Sequence, residues 1–182
     1  LSALDFSNNP LLTTLECSIN QLTSLDVSNN PALELLSCGE NLLTTLDVSH
    51  NPVLNSLECM TMQLSTLDLS KNPELEWLYC KDNQLTSLNI NANSKLIDLF
   101  CSYNQLSSLH LVNKADLRHL YCGNNQITSL NLSNNFNLWI LDVTSSPALG
   151  EVCVWEYPFP PEHVLVNAAD CPNMFFTDVC SK

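Results

Sequence analysis

The sequence predicts a mainly β solenoid of about seven stacked 21-residue coils, with few or no helices and a C-terminal cap. Three observations carry that prediction. A Leu column recurs every 21 residues, a Cys column runs in step with it, and the 182 residues include 35 Leu and 23 Asn but only 3 Gly. A chain that turns often with so little Gly must turn on something else. Asn fits, because it tolerates left-handed backbone and bonds its own main chain.

The columns hold register without insertion from Leu1 to about Val143. Leu4, Leu25, Leu46, Leu67, Leu88, Leu109 and Leu130 form one; Leu15, Leu36, Leu57, Leu78, Leu99, Leu120 and Leu141 form a second. Cys17, Cys38, Cys59, Cys80, Cys101 and Cys122 form a third, which ends at Val143. Asn20, Asn41, Asn83, Asn104 and Asn125 form a fourth, broken at Met62. Alternation around Leu15 and Cys17 has the period of a half-buried strand, so Leu and Cys point inward and their neighbours outward. An inward Asn reaches backbone groups that the turns leave unpaired. Pro10, Pro31, Pro52 and Pro73, each after Asn, stop the chain from extending in the other half-coil. One coil cannot bury its own apolar face, so stacking makes the core.

The unit Leu12-x-x-Leu15-x-Cys17-x-x-Asn20-x-Leu22-x-x-Leu25-Asp26-Val27-Ser28-x-Asn30-Pro31 resembles a bacterial leucine-rich repeat of the nested 21-residue, IRREKO-like class. The likeness covers residues 1–148 and implies a right-handed, horseshoe-type solenoid whose variable strand face is concave and is the usual binding surface. Residues 149–182 read as the cap, and half a coil looks dropped near Ser146-Pro147. The aromatic, Pro-rich stretch Trp155 to Pro161 and the run Met174 to Cys180 resemble the closing segments of secreted Bacteroidetes-type leucine-rich repeat proteins. The start at Leu1, in mid-repeat, reads as a fragment or processed chain. Its uncovered first coil offers an apolar edge, so a monomer or a weakly associating chain is expected.

Six of the nine Cys lie in the column and read as small core hydrophobes. Cys153, Cys171 and Cys180 lie outside it. The resemblance places a disulfide at Cys153 and Cys180; Cys171–Cys180 and three free thiols remain alternatives. A bridge would imply an oxidising compartment, hence a secreted or cell-surface protein.

Charge narrows the function. With 6 Lys+Arg against 19 Asp+Glu the formal net charge is −13. Such a chain repels nucleic acid and anionic membranes, and no apolar run is long enough to insert. No phosphate loop, G-x-S-x-G or metal-ligand motif occurs, so no catalysis, cofactor or metal is expected. Stacked Asp5, Asp26, Asp47 and Asp68 repel one another, and hydrogen bonds from Ser, Thr and backbone N–H are the expected offset, with calcium the alternative.

The outward positions of the Leu–Cys strand vary most between coils. Tyr79, Phe100 and Tyr121 share one outward column on three successive coils, with Trp77 and His119 one column over. Contiguous exposed aromatics mark interaction sites, and Tyr and Trp suit protein or carbohydrate ligands. Asp98, Glu58, Lys81 and His119 form the expected polar rim. The expected function is therefore a non-catalytic binding module. A cross-strand aromatic ladder within a structural spacer is the alternative.

Overall fold

The structure, a computed structural model, describes residues 1–156 and 158–180; Tyr157 of the cap stretch and the final Ser181 and Lys182 lie outside it. Eleven three-residue strands occur and no helix is present among the described residues. Eight strands form one parallel sheet: β1 (Thr14–Glu16), β2 (Leu35–Ser37), β3 (Ser56–Glu58), β4 (Trp77–Tyr79), β5 (Asp98–Phe100), β6 (His119–Tyr121), β8 (Ile140–Asp142) and β10 (Leu165–Asn167). A second parallel sheet holds β7 (Ser129–Asn131), β9 (Glu151–Cys153) and β11 (Phe175–Thr177). The molecule is a β-solenoid of leucine-rich repeat type.

The register explains the column spacing. Leu15 pairs Leu36, Leu36 pairs Leu57, and so on along the sheet, each coil lying on the last. These central Leu side chains and the following Cys point inward and are buried from Leu15 to Leu141. After each strand the Cys N–H donates to a carbonyl of the next coil, as Cys59 does to Tyr79 at 2.8 Å. Burial pushes the thiols upward, Cys38, Cys80 and Cys122 to about 12, so the column is packing and not a row of nucleophiles.

Two Asn ladders satisfy the turns, each differently. In the first, Asn104 Nδ2 donates to the Cys80 and Cys101 carbonyls at 3.0 and 3.1 Å, and its Oδ1 accepts the Leu85 N–H at 3.0 Å. Asn41, Asn83 and Asn125 repeat this arrangement. In the second, Asn72 Nδ2 donates to the Val48 and Asn51 carbonyls, while the buried Oδ1 has no partner. Only the donor end is used there. Lys114 occupies the same column; its ammonium, which donates and never accepts, reaches the Asn113 carbonyl at 3.5 Å. Lys114 is buried, and desolvation lowers its pKa.

Asp5, Asp26, Asp47 and Asp68 each accept the N–H of the Ser two residues on, at 2.9 Å, and hydrogen bonds from that Ser hold each carboxyl below its ordinary value.

Every coil also makes one left-handed turn, at Ile19, Glu40, Thr61, Asp82, Tyr103, Asn124, Ser145 and Asp170. None is Gly, contrary to the usual choice for that conformation. Ile19 is the costliest, β-branched with φ 58° and 75% exposed. Ile19→Asn should raise stability by about 1 kcal/mol, since Asn adopts this conformation with less strain and little packing is lost. A thermal melt reads this as a rise of roughly 2–4 °C.

At the far end the structure corrects the sequence reading: no half-coil is dropped. Val152 follows Leu130 by 22 residues, and Val166 follows Leu141 by 25, yet β9 pairs β7 and β10 pairs β8 in register. The longer spacing leaves the pairing intact, so both sheets run on through an eighth turn. Trp155, Phe159 and Phe176 pack there, with ring centroids 5.1 and 4.7 Å apart. Cys153 is bonded to Cys180, Cα to Cα 5.2 Å, and Cys171 is free.

Candidate functional site

Strands β3 to β6 place Glu58, Tyr79, Phe100 and Tyr121 in one register line. The Tyr79 and Phe100 rings stack with centroids 4.7 Å apart and Phe100 and Tyr121 with centroids 4.2 Å apart. These values match the ~4.8 Å spacing of adjacent strands, so the sheet itself sets the stack. Phe100 gives both faces to its neighbours, while Tyr79 and Tyr121 each give one face to Phe100; all three rings are partly exposed. Ring edges carry positive partial charge and favour oxygen-rich groups.

Trp77, Asp98 and His119 pair in the neighbouring line. His119 Nδ1 lies 2.7 Å from Asp98 Oδ1, and the Tyr79 hydroxyl donates to Asp98 Oδ2 at 3.5 Å. Partial burial, then the charges of Asp98 and Glu58, push the Tyr79 phenol upward, so it remains a neutral donor. Glu58 Oε2 accepts from the Ser37 hydroxyl at 2.8 Å. Lys81 lies outside the two register lines, past the end of β4. Its Nζ is 3.7 Å from Asp82 and 5.0 Å over the Tyr103 ring.

Two features escaped the sequence reading. Trp139, half exposed, meets the His119 ring edge-on at 6.0 Å and carries the Arg118 guanidinium 5.1 Å above it, which lengthens the aromatic surface by one coil. Beyond Tyr121 the register line drops to Asp142 and Asn167, side chains too small to continue the stack. A cleft of about 380 Å³ opens there, walled by Phe100, Tyr121 and Tyr103. Lys81, Asp142, Asn124 and Asn167 supply its polar side. The repeat comparison could have flagged Asp142 as the first acid after three aromatics. Asn167 could not be found that way, because the longer last coils hide its column.

Among the described residues, no group of three or more His, Cys, Asp or Glu could hold a metal ion, and no helix is long and apolar enough to cross a membrane.

These stacked coils and their inward Leu, Cys and Asn columns define a leucine-rich repeat solenoid. No protein-family model matches the sequence, and no curated protein matches it. Solved structures do. The functional domain of InlJ from Listeria monocytogenes, which includes a cysteine ladder, is 28% identical with a TM-score of 0.67, over 95% of this chain and 47% of that one. An internalin, InlF, from Listeria monocytogenes is 22% identical with a TM-score of 0.71, over 97% and 50%. A leucine-rich repeat protein of Leptospira interrogans is 24% identical with a TM-score of 0.66, over 78% and 45%. The chain thus spans about half the length of each.

Proposed function

We propose that the chain is a non-catalytic binding module of a secreted or surface-displayed bacterial protein. It belongs, on this reading, to the nested 21-residue class of leucine-rich repeats, with residues 149–182, which also carry the last strands of both sheets, acting as the cap on residues 1–148. Its concave sheet presents Trp77, Tyr79, Phe100 and Tyr121 to a protein or carbohydrate ligand. Glu58, Lys81, Asp98 and His119 form the selecting rim. The observation that carries this reading is the ordered three-ring stack, held partly exposed on adjacent strands at their natural spacing. Rigid presentation lowers the ordering cost that a ligand must overcome. The Cys153–Cys180 bridge supports an oxidising compartment.

A spacer role is the rival, favoured by one fact: the Phe100 ring and one face each of Tyr79 and Tyr121 are already spent on one another. Changing Trp77, Tyr79, Phe100 and Tyr121 together to Ser separates the two. Retention of the chain on cells, matrix or glycan surfaces should fall by about 100-fold or more, as expected when several interface aromatics are removed. Unchanged retention by a folded variant would leave the spacer reading standing.

A further inference from the structure

We propose that the cleft beyond Tyr121 binds a neutral saccharide, which names the ligand class for one end of the surface described above and rests on that reading. The chain carries −13, yet the cleft lining holds one of its few cations, Lys81, with a single carboxylate, Asp142. A singly charged side chain of either sign would be attracted by one of these groups and repelled by the other. A ligand without charge meets neither penalty and uses both groups as hydrogen-bonding partners.

The shape of the lining agrees. Tyr121 ends the stack, so its outer face has no ring on it and borders the open cleft. An aromatic face on one side with donors and acceptors on the other matches a sugar ring, which has an apolar C–H face and hydroxyls around its edge. The acceptor is held ready: Asp142 takes the Thr144 N–H at 3.0 Å and the Asn167 amide at 3.1 Å, which fixes the carboxylate against the cleft. Asn124 and Ser102 add an amide and a hydroxyl. Thr144, also in the lining, has a buried hydroxyl oxygen without a hydrogen-bond partner. At about 380 Å³ the space falls at the small end of the roughly 300–1,000 Å³ typical of ligand clefts, with room for a mono- or disaccharide.

The backbone keeps the cleft open. A Cβ at Gly123 would come within 2.4 Å of the Thr144 carbonyl oxygen, so only Gly lets these two coils approach. The cleft is thereby floored by main chain instead of being filled by a side chain.

The test passes the full chain over a printed array of neutral mono- to tetrasaccharides, with basic, acidic and neutral peptides printed alongside. Asn124→Gly removes the amide while tolerating the left-handed backbone there, and Asp142→Asn removes the charge; melting curves confirm that both remain folded. The wild type should bind a subset of the saccharides, and each variant should weaken that signal by about tenfold or more, the worth of one strong hydrogen bond. No saccharide signal, or a signal that neither variant weakens, overturns the proposal. If peptides alone bind, and the four-aromatic Ser variant abolishes that binding, the saccharide assignment falls while the binding-module reading survives. If saccharides bind and the two cleft variants weaken that signal while Trp77→Ser and Tyr79→Ser, both outside the cleft lining, do not, the cleft stands and the wider aromatic surface loses its assigned role.

Discussion

Asn104→Ala is expected to destabilise the solenoid by about 2–4 kcal/mol, although Asn104 touches no predicted ligand site. The amide is buried and works at both ends. Its Nδ2 donates to carbonyls of Cys80, Cys101 and Ser102, and its Oδ1 is the acceptor for the Leu85 N–H. The Cys carbonyls survive the loss, because Asn83 also donates to Cys80 and Asn125 to Cys101. The Leu85 N–H has no such second partner, and an orphaned buried donor costs about 1–3 kcal/mol by itself. Two lost hydrogen bonds and a small void supply the rest. A thermal melt should show Tm lower by roughly 10 °C. Asn72→Ala should cost less, since the Asn72 carbonyl-side oxygen is already without a partner and only its donor end is lost. Equal losses at the two positions would refute the distinction between the ladders.

That distinction marks where the sequence stopped being legible. The inward Leu, Cys and Asn columns were readable because a solenoid imposes identical surroundings on every coil, so a required residue repeats at a fixed interval. Each repeat is its own control. The same logic isolated Tyr79, Phe100 and Tyr121, since outward positions escape the constraint and any run of like residues there stands out. What the repeat could not show is anything that breaks period. Lys114 looks like an arbitrary substitution in the sequence; only the structure shows that the Asn side chains of its column use donors alone. The eighth turn was hidden by one extra residue before Val152 and three more before Val166, enough to look like a deletion although the strands still pair in register. Asn167 and the cleft it borders went unseen for the same reason. Lys81 shows the opposite limit. Sequence neighbours in adjacent columns were placed together, yet its position after the strand sends it towards Tyr103 and the cleft.

The two surfaces proposed for binding therefore differ in origin. The stack arises from regularity, three coils placing one residue type at one position. The cleft arises from the end of that regularity, where Tyr121 is followed by small polar side chains and Gly123 lets the coils close together. A ligand that uses both would lie along the strand-pairing direction, crossing coils at right angles to the strands. Its contacts would then read as steps of about 4.8 Å.

Leu78→Ala should cost about 2–5 kcal/mol and do so in a particular way. Leu78 is completely buried between the outward Trp77 and Tyr79 on β4, the fourth of eight strands in the main sheet. The shortened side chain leaves a void that the neighbouring Leu57 and Leu99, both also fully buried, cannot fill without moving their strands. In a solenoid each coil holds only its neighbours, so a weakened central interface divides the array. Denaturant unfolding should therefore show a lower midpoint and also a smaller m-value, as the coils on either side of β4 begin to unfold separately. A deletion in a globular core would lower the midpoint with m unchanged. The same void loosens the strand that carries Trp77 and Tyr79, so ligand affinity should fall even though no ligand-facing atom is removed. An unmoved midpoint would show that Leu78 is not a core residue. A lower midpoint with constant m would show that the coils are coupled across more than nearest neighbours.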